Sequence, residues 1–365
     1  MKLVANLKLT PTDAQHEALL DTLKTANRAC TWLAGQAWET KTFGQFALHK
    51  LTYERCREQF GLAAQMAVRC IAKVADAYKL DRKTRRRYRR YAAQPYDDRI
   101  FRLCSDTHLS LWTVHGRLTI SYQCSERQHA LLAYRKGEVD LMYIRGVFYI
   151  AVVCDVLEPE EMDVERVLGV DFGIVNLAVD SDGTVYSGTE VEQKRQRFVQ
   201  RRHELQRHQT RAARRKLRQL KGKQARFQQN TNHCISKRLV ETAQRSSAAI
   251  ALEDLTGIRQ RVKARRQQRP RHTNWAFAQL RHYVTYKACL VGVPVILVDA
   301  RHTSHACTVC GYTARANRPS QHHFSCHRCG YTTNADLNAA QNIRNRAAVN
   351  RPVVAQPRQL RLALA

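Results

Sequence analysis

Four cysteines, Cys307, Cys310, Cys326 and Cys329, are spaced C-x2-C-x15-C-x2-C, and Asp336 follows the second pair by seven residues. No other feature restricts the fold so tightly. Two Cys-x-x-Cys turns at this separation hand four thiolates to one tetrahedral zinc at about 2.3 Å and leave no position open for a substrate water. The zinc expected here, one per chain, is therefore structural. Gly311 and Gly330 each stand one residue past a pair, a regularity that unmetallated core thiols do not need. His302, His305, His322, His323 and His327 lie close by; with the shell already filled by sulfur, they are expected to face solvent or RNA.

Asp336 opens a helix, because Leu337, Ala340, Ile343 and Ala347 recur at helical spacing behind a cap at Asn334. Two more acids end apolar runs upstream. In RVLGVDFGIVNLAVDSDG a buried strand ends at Asp171, turns at Gly173, resumes through Ile174, Val175 and Leu177, and stops at the turn Asp180-Ser181-Asp182-Gly183. In SSAAIALEDLTGI the run delivers Glu253, while its neighbour Asp254 points to the opposite strand face. Each acid alone would pass as a cap or turn residue. Together, two strand-borne carboxylates and one helix-borne carboxylate can converge on one edge of a mixed sheet. Such a cluster is costly unless cations occupy it. Magnesium or manganese removes that cost, and two ions about 3.5–4 Å apart suit in-line phosphodiester hydrolysis. Asp171, Glu253 and Asp336 are thus candidate catalytic and metal-ligating residues of nuclease chemistry.

The charge balance points to a polyanionic partner. Sixty-one Lys and Arg stand against 31 acids, a net +30, and residues 194–271 hold 24 basic and 4 acidic side chains. Arg214, Arg215, Lys216, Arg265 and Arg266 in that segment are candidate nucleic-acid contacts. A second basic run, Arg82, Lys83, Arg85, Arg86, Arg87, Tyr88, Arg89 and Arg90, is interleaved with Tyr78, Tyr88, Tyr91 and Tyr96. Arginines on phosphates and tyrosines stacked on bases would suit nucleic acid there; a solvated helix with aromatic packing is the competing reading. No stretch approaches twenty apolar residues, and no signal peptide opens the chain, so a membrane role is not expected. The eight other cysteines lack paired spacing and read as core thiols in a reducing cytoplasm. Neither a Walker-type glycine loop nor a G-x-S-x-G elbow is present, so a nucleotide cofactor and serine-hydrolase chemistry are unsupported.

Towards the N-terminus, KLVANLKLT alternates as a strand, and Thr10-Pro11 reads as a cap with a first-turn proline. A helical pattern then runs to about Tyr91, with Leu19, Leu20, Leu23, Ala26, Cys30, Leu33 and Ala37 on one stripe. From about residue 100 the period changes to two, in hairpins around His115-Gly116 and Arg145-Gly146. With the first strand these would make a small barrel interrupted by helices. An acidic linker, LEPEEMDVE at 157–165, separates this half from the rest. A basic helical hairpin at about 190–248, a strand to Glu253, an Arg-rich loop, a helix from Asn274 to about Val291 and the strand VPVILVDA follow.

The segments VLGVDFGIVNLAVDSDG, AIALEDLTGI and the cysteine knuckles with NADLNAAQNI resemble the three RuvC motifs of the TnpB/OrfB family of insertion-sequence proteins, relatives of the type V CRISPR effectors. The acids are 82 and 83 residues apart, in keeping with that pattern, and the likeness is specific over about 165–346. The chain differs at Asn334 and Ala335, where the family often has an acid and an arginine. The resemblance implies an α/β multidomain protein. Its parts would be a wedge-like β-barrel (1–10 and 96–160) interrupted by a helical recognition domain (11–95), and a RuvC-like nuclease domain of RNase H fold (161–300 and 331–350). An inserted zinc ribbon (301–330) and a flexible tail (351–365) complete it. It also implies an RNA-guided, magnesium-dependent DNA endonuclease of transposon origin that cleaves beside a short flanking motif. The partners would be a transposon-end-derived guide RNA and double-stranded target DNA, in the cytoplasm and on the nucleoid when bound to DNA. Two alternatives remain: a nuclease-inactive RNA-guided transcriptional regulator, and a transposase acting on transposon ends.

Overall fold

A computed structural model of the chain describes residues 1–254 and 277–349. The expectations for Arg265, Arg266, residues 274–276 and the tail at 351–365 lie outside those residues. The chain divides into two compact units, the first ending at Leu157 and the second beginning at Glu158.

In the first unit, β1 (Lys2–Leu9) buries Ala5, Leu7 and Leu9 on one face, as its alternation predicts. Helices α1 (Asp13–Glu39), α2 (Gln45–Phe60) and α3 (Ala64–Leu80) follow. Thr12, not Thr10, caps α1 through a capping box with Gln15. The Thr10 hydroxyl is already engaged with Ser121 at 2.7 Å. Strands β2 (Gln94–Tyr96), β3 (Phe101–Leu103), β4 (His108–Thr113) and β5 (Gly116–Gln123) come next. The short helix α4 (Glu126–Leu131) then leads to β6 (Arg135–Ile144) and β7 (Val147–Asp155).

These strands form one antiparallel sheet in the order β2-β6-β7-β1-β5-β4-β3. Its two ends, β2 and β3, are joined by residues 97–100 alone, so they lie within about 18 Å of one another and the sheet is nearly closed. The β6–β7 hairpin turns on Arg145 and Gly146, with φ of 54° and 89°. Two consecutive left-handed residues give the turn whose twist matches the strands.

The helical pattern expected to reach Tyr91 stops at Leu80. Residues 81–93 instead lie as a strap over α1 and α3: the Tyr88 amide donates to Thr31 Oγ1 at 3.1 Å, and the Tyr88 hydroxyl donates to the Lys73 carbonyl at 3.4 Å. Tyr78 and Tyr96 are fully buried, their hydroxyls bonded to the carbonyls of Ala34 and Trp112 at 3.0 Å each. Neither can stack on a base, which corrects the stacking expected of them. Four of the eight other cysteines (Cys30, Cys56, Cys70 and Cys154) are core thiols as expected, whereas Cys104 and Cys234 are exposed.

The second unit is built on a five-stranded mixed sheet in the order β10-β9-β8-β11-β12. Here β8 is Arg166–Asp171, β9 Asn176–Asp180, β10 Val185–Ser187, β11 Ala248–Asp254 and β12 Val295–Asp299. Strands β8, β11 and β12 run parallel to one another, with β12 at the edge. A helical hairpin, α5 (Thr189–Arg207) and α6 (Arg211–Arg245), connects β10 to β11, and α7 (Phe277–Cys289) precedes β12. Strand alternation sorts the sheet's two faces. Leu168, Val170, Ile250 and Leu252 pack against Leu239 and Val240 of α6 and Leu280 and Val284 of α7. Val167, Ala249, Ala251 and Val298 face Ile343 and Ala347 of the last helix, α8 (Ala335–Val349). Before α8 comes a small hairpin of β13 (His323–Ser325) and β14 (Thr332–Asn334). Among the described residues no helix is long and apolar enough to cross a membrane.

Candidate active site and cysteine knuckles

Register places the first two acids. Val170 on β8 pairs with Leu252 on the parallel strand β11, so the next step sets Asp171 beside Glu253 at the carboxyl ends of both strands. Both belong to the odd-numbered face that α8 covers. Asp254, one residue on, turns to the other face and accepts from Arg281 Nη1 of α7 at 2.9 Å.

The third acid arrives with α8, and Gly169 lets it come close. A Cβ at Gly169 would stand 2.2 Å from the Ala340 carbonyl oxygen and 2.5 Å from the Arg344 nitrogen, so only glycine allows the helix this near to β8. Asp336 sits in the first turn of α8, where the helix dipole favours a carboxylate. The Asn334 side chain caps that turn by accepting from the Asp336 amide at 2.9 Å, as its position predicted. Asp336 is 5% exposed. Its Oδ2 accepts from Asn176 on β9 and its Oδ1 from Arg318, both at 2.9 Å.

The charges of Glu253 and Asp336 both reach the Asp171 carboxyl. Burial, and after it the charges of Glu253 and Asp336, push the Asp171 carboxyl well above the usual range, against the opposing pull of Arg318. Burial also raises Glu253, although a hydrogen bond from Thr303 and the charge of Arg346 lower it. Two buried acids that resist ionisation are suited to divalent cations, and the donor set is all oxygen, as magnesium and manganese prefer.

The cysteines form two near-identical knuckles. Gly311 and Gly330, with φ of 72° and 73°, each donate to the carbonyl of the first cysteine of their pair at 2.9 Å, and only a left-handed residue closes such a turn without strain. The four sulfurs lie within 4.8 Å of one another. Cys307 and Cys329 are 3.7 Å apart, and Cys310 and Cys326 are 3.6 Å apart. A tetrahedron with metal–sulfur bonds of about 2.3 Å has edges of about 3.8 Å, close to these two separations, so the quartet could hold a metal such as zinc. At Cys326 desolvation opposes ionisation, yet amides of Cys329 and Arg328 aimed at the sulfur draw its pKa down to about 6. The five histidines stay outside the quartet: His302, His322, His323 and His327 are exposed and His305 is half-buried.

Five partners of the site were missed in the sequence: Asn176, Thr303, Arg318, Asn338 and Asn342. Asn338 and Asn342 had a readable signal, since they repeat at i, i+4 within an otherwise apolar helical stripe. Arg318 lies between the cysteine pairs among other basic residues and had none. It brings a guanidinium to Asp336 in a chain that has Ala335 where the TnpB/OrfB pattern often has arginine.

The candidate nucleic-acid contacts divide. Arg214, Arg215 and Lys216 are exposed on α6, where all eight basic residues of 211–226 reach solvent and no acid occurs. In the first unit Arg82, Lys83, Arg87, Arg89 and Arg90 are exposed, and Arg85, also exposed, reaches Glu39 at 3.1 Å. Arg86 and Tyr88 turn inward, Arg86 pairing with Asp81 at 3.1 Å.

Residues 151–257 match the family described as "Probable transposase", and residues 277–343 match the "Cas12f1-like, TNB domain". The chain is 33% identical over 199 residues to a CRISPR-associated endodeoxyribonuclease Cas12f1 of Sulfoacidibacillus thermotolerans, spanning 50% of this chain and 46% of that one. It is 32% identical over 198 residues to the putative RNA-guided DNA endonuclease InsQ of Escherichia coli (strain K12), spanning 48% of each. The chain thus spans about half the length of these curated relatives, or less. A cryo-EM structure of a Cas12f1–sgRNA–target DNA complex covers 94% of this chain and 99% of its own at 15% identity and a TM-score of 0.42.

Proposed function

From the similarity of its second unit to the OrfB and Cas12f proteins, we propose that this chain is an RNA-guided, metal-dependent DNA endonuclease of transposon origin. The observation that carries the reading is the convergence of Asp171, Glu253 and Asp336 from β8, β11 and α8 onto one edge of the sheet. Asp171, Glu253 and Asp336 would hold magnesium or manganese. When bound, a pair of such ions supplies an activated water and charge stabilisation for the leaving oxygen of a phosphodiester. The chain's own contribution is positional. Asn176 and Arg318 each hold one oxygen of Asp336, Thr303 holds Glu253, and the α8–Gly169 contact brings the three acids together.

In this reading the cysteine quartet holds one structural zinc, and the second unit is the RuvC-like nuclease with its inserted ribbon. The nearly closed sheet with its helices serves as wedge and recognition domain. The exposed basic face of α6 and the outward arginines of 82–90 take the phosphates of a guide RNA and of target DNA beside a short flanking motif. The test is guide-loaded protein on a matched double-stranded target, with magnesium and with chelator. Asp171→Ala, Glu253→Ala and Asp336→Ala should each abolish cleavage while target binding persists, and the triple variant should be no worse than any single one. Wild-type protein that binds the target yet cuts under no divalent metal would instead be a guided binding protein.

A further inference from the structure

Thr303 lies between β12 and the first cysteine pair and is 1% exposed. Its Oγ1 donates to Glu253 Oε1 and also stands 3.0 Å from the Ala300 carbonyl. A hydroxyl has one proton to give, and the carboxylate is the stronger acceptor. The loop around it is tightly held. His302 is left-handed, with φ of 61°, a conformation that costs a residue with a Cβ and persists only where the surroundings enforce it. Its carbonyl accepts from the amides of His305 and Ala306 at 3.1 and 2.9 Å.

The same loop is pinned from α8. Asn342, 7% exposed, donates to the carbonyls of Thr303 at 2.8 Å and Ala306 at 2.7 Å. Asn338, fully buried, donates to the Ala306 carbonyl at 2.8 Å and accepts from the Thr308 amide at 3.2 Å. The helix that carries Asp336 therefore also anchors the loop whose hydroxyl meets Glu253, and two acids far apart in sequence take their positions from one element. We propose that Thr303 is a positioning residue that aims the Glu253 carboxylate into the acid cluster, with Asn342 fixing the loop that presents it. The assignment rests on the metal-nuclease reading above.

The test is manganese affinity of the zinc-replete full chain, followed by the electron paramagnetic resonance signal of free Mn2+. The variants are Glu253→Gln, Thr303→Val, Thr303→Ala and Thr303→Ser. Thr303→Val and Thr303→Ala, which both lack the hydroxyl, should weaken Mn2+ binding by about 10–100-fold, the usual effect of losing a partner that orients a metal ligand. Thr303→Ser, which keeps the hydroxyl, should bind near the wild-type level. Wild-type affinity in Thr303→Val or Thr303→Ala, or a loss in Thr303→Ser as large as theirs, overturns the assignment while leaving the nuclease reading intact. Wild-type affinity in Glu253→Gln overturns that reading itself, and Thr303's role with it.

Discussion

Gly169→Ala tests whether the approach of α8 to β8 assembles the site. The new Cβ would stand 2.2 Å from the Ala340 oxygen, 2.5 Å from the Arg344 nitrogen and 2.9 Å from the Arg344 Cβ, whereas ordinary contact begins at 3.4 Å. Two of the three atoms are backbone and cannot swing aside, so α8 has to retreat by about 1 Å, the order of displacement that can cost 100-fold in rate. Overpacking of this kind destabilises by about 1–3 kcal/mol, and each kcal/mol lowers the melting temperature by about 2–4 °C in a unit of this size. Gly35→Ala is the matched control, because the three atoms nearest its Cβ all belong to the guanidinium of Arg85, Nη2 at 2.8 Å. That flexible end can move, and alanine in the middle of α1 is favoured over glycine by about 1 kcal/mol. Single-turnover cleavage and thermal melts on both variants, with zinc content checked, make the comparison. Gly169→Ala protein that cuts and melts like wild type would refute the argument that this contact sets Asp336.

Cys307→Ser or Cys329→Ser should lower bound zinc from about one per chain and impair cleavage through Asp336, since Asn338 and Asn342 tie the first knuckle to α8; zinc-free purified wild type would sink the structural-zinc reading. Asp171 and Glu253 are held above their ordinary pKa values chiefly by burial, so the metal-free folded chain binds their protons more tightly than the unfolded chain does, and ionising them costs stability. Their penalty is absent below about pH 3.9 and grows as pH rises toward the folded values. Asp171→Asn should then raise the melting temperature of chelated protein at pH 7 with little gain near pH 4, and an equal gain at both would contradict this. Replacing Arg214, Arg215 and Lys216 together by alanine should weaken guide RNA binding and flatten its salt dependence, each lost phosphate contact removing about 0.7–0.9 from the log–log slope. An unchanged slope would place the RNA elsewhere.

The cysteine knuckles and the strand-end acids were legible in the sequence because both are local. A C-x2-C turn or an apolar run ending in a carboxylate is written in consecutive residues, and the knuckles, β8, β11 and the Asn334 cap stand where those signals put them. The extent of the helices was not legible: the basic run at 81–93 keeps a helical composition, yet it lies as a strap in which Tyr88 satisfies its amide and hydroxyl against α1 and α3. Which tyrosines were core and which arginines faced outward followed from that packing. The partners of the acids were beyond the sequence for the same reason. Asn176 lies 160 residues from Asp336 and Thr303 lies 50 from Glu253, and no periodicity connects positions so distant. Gly169 could be seen only as a small residue in a strand. That it is the point where a helix backbone presses on the sheet, and so brings the charge of Asp336 within reach of Asp171, was decided by tertiary contact alone.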